Sequence, residues 1–170
     1  MSNTDTSTSI HPLIAAFLLC VRKGEGTLGA NGYRTMFGGR LFDSFSDHPR
    51  VAVHTRFGWT SAAGAYQFMA RSPIPGTRPQ AFTRVDTWDE LKRRLSLPDF
   101  SPNSQDIAAI ELLRECGAYA PALAGDFSAA FPHAGKEWAS MPGSPYGQPQ
   151  LTAADMLAFA RKLPGAENVK

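Results

Sequence analysis

Glu25 stands between two glycines, in the run from Arg22 to Gly26, at the end of a strongly apolar segment. Ile10, Leu13, Ile14, Phe17, Leu18 and Val21 precede it at the spacing of one helix face. Glu25 lies four residues after Val21 and seven after Leu18, so one further helical turn aims its carboxylate along the apolar face. Two readings are open. A boundary glutamate folds out to water where Gly24 ends the helix. A general acid at the mouth of a cleft is instead partly desolvated, and its raised pKa keeps a proton on it near neutral pH.

The second reading has a matching chemistry. Cleaving a glycosidic bond needs a proton donor for the leaving oxygen, and a glutamate with a raised pKa supplies one. A long sugar substrate also needs aromatic faces and amide or hydroxyl groups. Tyr66, Gln67, Tyr146 and Gln148 are candidates for these, with Trp59 as a platform for a sugar ring. Asp43 and Asp47 are carboxylates that could lie across the cleft, although Asp47, beside His48-Pro49, reads better as a turn-capping residue. His48 reads as structural, and Trp88 and Trp138, on helical patterns, as core.

Other chemistries fit less well. Neither Cys20 nor Cys116 sits in a reactive-looking loop, and no serine carries nucleophile-elbow glycines. Both cysteines lie in apolar helical patterns and read as free thiols. The run GEGTLG has neither the preceding strand nor the following Lys-Ser/Thr of a phosphate loop. No Cys/His spacing resembles a metal site, so neither metal nor cofactor is expected. Nucleic-acid binding has no recognisable motif behind it.

Positioning Glu25 falls to a helix that opens near Pro12 and closes with Arg22 and Lys23 in its last turn and Gly24 beyond. Residues 29–70 then turn rich in Gly and aromatics. Asn31-Gly32 and Gly38-Gly39 are turn signals flanking short segments, Tyr33 to Phe37 and Arg40 to Phe45, which predicts a small irregular antiparallel sheet. Gly64 predicts a close approach to the backbone. Residues 71–85 hold three prolines and one glycine and read as a long surface loop. Helices are expected after Asp86 and after Ser101-Pro102, the latter ended by Gly117. Shorter helical pieces are expected at Tyr119 to Leu123, Phe127 to Phe131 and Lys136 to Ser140, and a last one is capped by Thr152.

The 170 residues, 43% hydrophobic and 19% charged, suit one domain with a sizeable core, expected over residues 10–170 behind a loose tail of residues 1–9. The net charge of +2 is uneven: Arg22 to Arg84 carries nine basic residues against three acids. That half favours an anionic partner. Leu13 to Val21 is too short to span a bilayer and no signal peptide is visible, so no stable membrane insertion is expected.

Several ordered pieces resemble one family. They are EGT at Glu25 to Thr27, NGY at Asn31 to Tyr33, Gly38 to Phe42, SDHPR at Ser46 to Arg50, Ser61 to Gln67, Asp99 to Asp106, and WASMPGSPYGQ at Trp138 to Gln148. Together they resemble the phage lambda type of endolysin, a lytic transglycosylase. The departure is residues 71–85, longer and more Pro-rich than that pattern.

The resemblance implies an α+β, lysozyme-like fold, mostly helical with a small antiparallel sheet after the first helix. It implies that Glu25 is the catalytic acid. It also implies that Ser61 and Gln67 lie in the cleft wall. The expected partner is the glycan strand of bacterial peptidoglycan, cut at the β-1,4 bond between N-acetylmuramic acid and N-acetylglucosamine. The enzyme is expected to act as a monomer, made in the host cytoplasm and released to the wall through a holin lesion. In hydrolytic phage lysozymes an Asp and a Thr follow the acid at positions that here are Arg34 and Arg40, which disfavours hydrolysis.

Overall fold

The computed structural model describes residues 10–147 and 149–170, so the expected tail of residues 1–9 and Gln148 lie outside the described residues. The described residues form six α-helices and one small sheet: α1 (Pro12–Gly24), α2 (Thr87–Leu95), α3 (Pro102–Glu115), α4 (Tyr119–Leu123), α5 (Phe127–Ala134) and α6 (Ala153–Ala160), with strands β1 (Val53–Thr55) and β2 (Gly58–Thr60) paired antiparallel. This is the expected α+β class. No helix among the described residues is long and apolar enough to cross a membrane.

α1 is the central element. Ile14, Phe17, Leu18 and Val21 are buried along the face that the spacing marks out. Phe17 stacks on Phe131 and meets Phe127 edge-on, which ties α1 to α5. His11 caps its start by accepting from the Leu13 N–H, and Pro12 fills the first turn. The helix runs on past its expected end at Lys23. Glu25 still donates its N–H to Val21 O, and Gly26, at φ 71°, is the left-handed terminator. Thr27 N–H then returns to Arg22 O, and the extension leaves Glu25 half-buried, one turn beyond buried Val21.

The expected sheet is smaller and lies further along. Gly32–Arg34 is a single 3-10 turn, and the predicted segments around it share only the bridge Thr35 to Leu41. Gly38 and Gly39, both at positive φ, turn the chain too tightly for a longer ladder. Among the described residues, regular pairing occurs only in the β1–β2 hairpin, where His54 faces Trp59.

Residues 71–85 are the expected long surface loop, held by bonds of its own. Ile74 N–H bonds to Ala81 O and Thr83 N–H to Ser72 O, while buried Ser72 and Thr83 anchor the base on Ala70 O. Asp86 occupies the N-cap of α2 without a side-chain cap. Its neighbour Asp89 serves elsewhere, accepting from Arg71 N–H and Arg50. Lys136 to Ser140, expected as helix, is a series of turns after α5. Two bonds draw it toward the acid: Trp138 Nε1 donates to Tyr66 O and Ser140 Oγ to Glu25.

α3 ties this layer to the helices. Gly64, at φ 81°, does permit a close approach: a Cβ there would lie 2.3 Å from Gln105 Oε1. That oxygen accepts from Ala65 N–H, and the Gln105 amide donates to Tyr33 O and Phe100 O. Trp88 and Trp138 are core, as expected. Cys20 and Cys116 are free; burial pushes the Cys20 thiol up to about 12.

Candidate active site

Glu25 lines a groove of about 440 Å³ with Thr35, Met36, Gln67 and Ser140. A Cβ on its neighbour Gly24 would meet Ser140 Oγ at 2.7 Å, so glycine there leaves the hydroxyl room beside the acid. Ser140 Oγ donates to Glu25 Oε1 at 2.5 Å from the 136–140 turns. Burial disfavours the Glu25 carboxylate and raises its pKa above the ordinary glutamate value; the Ser140 hydrogen bond opposes this and is outweighed. The result is a carboxyl that holds its proton into a higher pH range and can also take one back.

The turn bearing Glu25 is clamped. Arg22 donates through Nε and Nη2 to Thr27 O, and Thr27 Oγ1 donates to Ala65 O. Arg22 also lies over the Tyr33 ring, 4.5 Å from its centroid. Behind it, Asp106 accepts from the hydroxyls of Tyr33 and Tyr66 at 2.8 and 2.6 Å. Burial is the main cause that raises the Asp106 pKa, and the two hydroxyls work against it.

The expected site residues are not all brought together. Gln67 lines the Glu25 groove, held in a left-handed backbone at φ 50° while its amide donates to Thr35 O and Gly64 O. Trp59 lines the adjoining groove of about 510 Å³ with Phe37, Phe57 and Met69. Phe37 belongs to both grooves, so they are continuous. Ser61 and Tyr66 are each 2% exposed and face the interior. Ser61 Oγ donates to Ala70 O and accepts from Ala70 N–H; Tyr66 donates to Asp106. Their hydroxyls are spent on the scaffold, so the sugar contacts expected of them are absent from this arrangement.

Asp43 is solvent-exposed and pairs with Arg34 at 3.2 Å, outside the Glu25 groove. Tyr146 is exposed and donates to Lys136 O, with no hydrogen bond to Glu25. Asp47 is held by Arg50, Lys92 and Trp88 Nε1, well below the usual carboxylate range, because these donors outweigh its burial. His48 is a structural histidine, accepting from Arg50 N–H through Nδ1 and donating from Nε2 to Phe68 O.

Sequence reasoning missed Ser140 and the Arg22–Thr27 clamp. Ser140 lay inside the WASMPG stretch, but no spacing ties it to a residue more than a hundred positions away. A signal did exist in Gly24, which precedes the acid for a steric reason.

A half-buried acid in an open groove that continues into an aromatic-lined one, on a mostly helical α+β scaffold, is the arrangement of a lysozyme-like enzyme. Comparisons narrow this. Residues 15–166 match the Endolysin family. The chain is 34% identical over 158 residues to the endolysin of Escherichia phage lambda, covering 88% of this chain and 90% of that one. It is 33% identical over 171 residues to the endolysin of Escherichia phage P2, covering 91% and 94%. A solved structure of bacteriophage lambda lysozyme complexed with a chitohexasaccharide superposes with a TM-score of 0.74 at 31% identity, over 91% of this chain and 95% of that one. A second structure of lysozyme from bacteriophage lambda gives 0.71 over the same shares. The chain belongs to the endolysin family, enzymes that act on the bacterial cell wall.

Proposed function

We propose that this endolysin cleaves the β-1,4 bond between N-acetylmuramic acid and N-acetylglucosamine by lytic transglycosylation, with Glu25 as both acid and base. The observation that carries this is the isolation of Glu25. It is half-buried, its pKa is raised, and no second Asp or Glu lines its groove among the described residues. A retaining or inverting hydrolase uses two carboxyls flanking the bond. A transglycosylase needs one.

Glu25 gives its proton to the leaving glycosidic oxygen as the bond from C1 breaks. The substrate's N-acetyl group stabilises the developing cation. Glu25, now a carboxylate, takes the proton of the muramic acid 6-hydroxyl as that oxygen closes on C1. The anhydro ring forms, Glu25 is again protonated, and no water is consumed. Holding both reacting groups in one sugar supplies proximity. The glycan lies in the two continuous grooves, with Trp59, Phe57 and Phe37 as sugar platforms and Gln67 beside the reacting bond. The chitohexasaccharide bound by the lambda lysozyme supports a sugar-polymer ligand for this fold. The protein is made in the host cytoplasm and reaches the wall through a holin lesion.

Mass spectrometry of digested peptidoglycan tests the reaction. Anhydro-muramic ends are expected. Products heavier by one water overturn the transglycosylase reading and assign a hydrolytic muramidase.

A further inference from the structure

A third groove, of about 510 Å³, lies beyond the aromatic one. It shares Phe57 and Trp59 with that groove, and the 71–85 excursion forms its opposite wall through Ile74, Phe82 and Arg84. The wall is an exposed aromatic surface: Phe57 is 68% exposed and Phe82 42%. Apolar area of this kind, left open beside a binding groove, marks a contact surface.

The charge around it is one-sided. Residues 51–85 contain Arg56, Arg71, Arg78 and Arg84 and no Asp or Glu. Among the described residues none of these four guanidinium groups pairs with a carboxylate. Arg34, Arg50, Arg94 and Arg114 do. Two of the unpaired ones lie over exposed rings, Arg56 over Phe57 at 4.7 Å and Arg71 over Phe82 at 4.6 Å. Stacking holds the planar head in place while its N–H groups remain open to a carboxylate.

We propose that this groove binds the acidic peptide stem of the peptidoglycan strand whose glycan occupies the neighbouring grooves, an inference that rests on the glycan-cleaving function proposed above. The glycan itself is uncharged once its lactyl group is amide-linked to the stem. The carboxylates within reach of a strand seated along Phe57 and Trp59 therefore belong to the peptide. Arg84 lines this groove and Arg56 the adjoining one, and an uncharged glycan offers neither guanidinium a carboxylate. An aromatic-and-arginine wall contiguous with the glycan groove suits a peptide that branches from it.

The test uses full-length chain carrying Glu25→Gln, so that binding is read without cleavage. The probes are short glycan strands bearing tetrapeptide stems and the same strands stripped of stems by an amidase, with each freed lactyl carboxyl then capped as its primary amide so that the control is uncharged. Tighter binding of the peptide-bearing strands is expected. Adding Arg84→Ala and Phe82→Ala should weaken that binding about tenfold and leave the stripped strands unaffected. Equal binding of both probes overturns the proposal, as does an equal loss on both. Arg84→Gln alone, with a smaller loss of the same selectivity, covers the case in which the double variant melts early. If Arg84→Gln instead abolishes binding to vesicles of anionic phospholipid and leaves stem binding intact, the groove serves a lipid surface and the proposal fails. Wild-type cleavage of stem-bearing strands, measured separately, tests the glycan-cleaving function, so the two failures are distinct.

Discussion

At the end of α1, Glu25 has Ser140 Oγ as its side-chain hydrogen-bond partner among the described residues. Beside α2, Asp47 and Asp89 between them take bonds from Arg50, Lys92, Trp88 Nε1 and the Arg71 N–H. Burial disfavours the charge at all three carboxyls, but the outcomes are opposite. Charged donors overcome it at Asp47 and Asp89, whose pKa values fall; one neutral hydroxyl does not overcome it at Glu25, whose pKa rises. The acidic pair is a fixed ionic strut that fastens the 46–50 turn and the base of the 71–85 excursion to α2. Glu25 is left able to exchange a proton. Charged partners hold the pair ionised where they fasten a turn, and their lack leaves Glu25 protonated to higher pH.

Replacing Glu25 with Gln is the strongest way to break this contrast. Wall-clearing activity should fall by about a thousandfold, the scale of a lost general acid. Stability should move the other way. The folded Glu25 binds its proton more tightly than the unfolded chain does, so its contribution is complete below the ordinary glutamate value and is lost as pH rises through the raised folded value. Gln has no such loss. The variant should melt at least as high as wild type at pH 7, with the difference vanishing near pH 4. A variant that clears cell-wall suspensions as fast as wild type removes Glu25 from catalysis.

His48 tests the structural side. It is 3% exposed, and burial depresses its pKa from 6.5 to about 4. A depressed folded value means stability that is present above the ordinary pKa and lost as pH falls through the folded one. The window is therefore about pH 6.5 down to 4, and the loss about 3 kcal/mol. Urea midpoints for wild type should drop across that window. His48→Gln should flatten the slope; an unchanged slope assigns it to other groups.

Asp47→Asn probes the strut directly. Its side chain is 40% exposed, so water screens part of the attraction, and a loss of about 1 to 2 kcal/mol at pH 7 is expected in urea unfolding. Its lowered pKa makes that stability present above the ordinary aspartate value and lost as pH falls toward the folded value, below the His48 window. Activity at pH 7 should stay within about twofold. A large activity loss at unchanged stability would show that the strut reaches the reaction.

Helix faces and caps were legible in the sequence because they are local. The 3.6-residue period of α1, Pro12 at its start and Ser101-Pro102 before α3 need no distant partner. The suspicion attached to Glu25 came from the same period. Tertiary approach was less legible. Ser61 and Tyr66 occupy a segment that carries cleft residues, yet their hydroxyls turn inward to Ala70 O and Asp106, partners nine and forty positions away. The sheet was misplaced because glycine turn signals at Gly38-Gly39 mark where the chain bends, and cross-strand packing decides where a ladder forms.

The smallest expected effect is the most discriminating. Ser140→Ala removes the hydroxyl that stabilises the Glu25 carboxylate, and burial is left unopposed. The Glu25 pKa must rise further. In the pH profile of kcat/KM, activity falls as pH rises through the pKa of the essential acid in the free enzyme. That descending limb should move to higher pH in the variant, with the rate at neutral pH changed by less than about tenfold. Ser140→Thr, which keeps a hydroxyl, should restore the wild-type limb. A purely structural serine would lower the rate at every pH and leave the limb in place. A limb that moves to lower pH would mean that Ser140 stabilises the protonated acid, and the contrast between Glu25 and the Asp47 strut would then lie in which protonation state each partner favours rather than in how many partners there are.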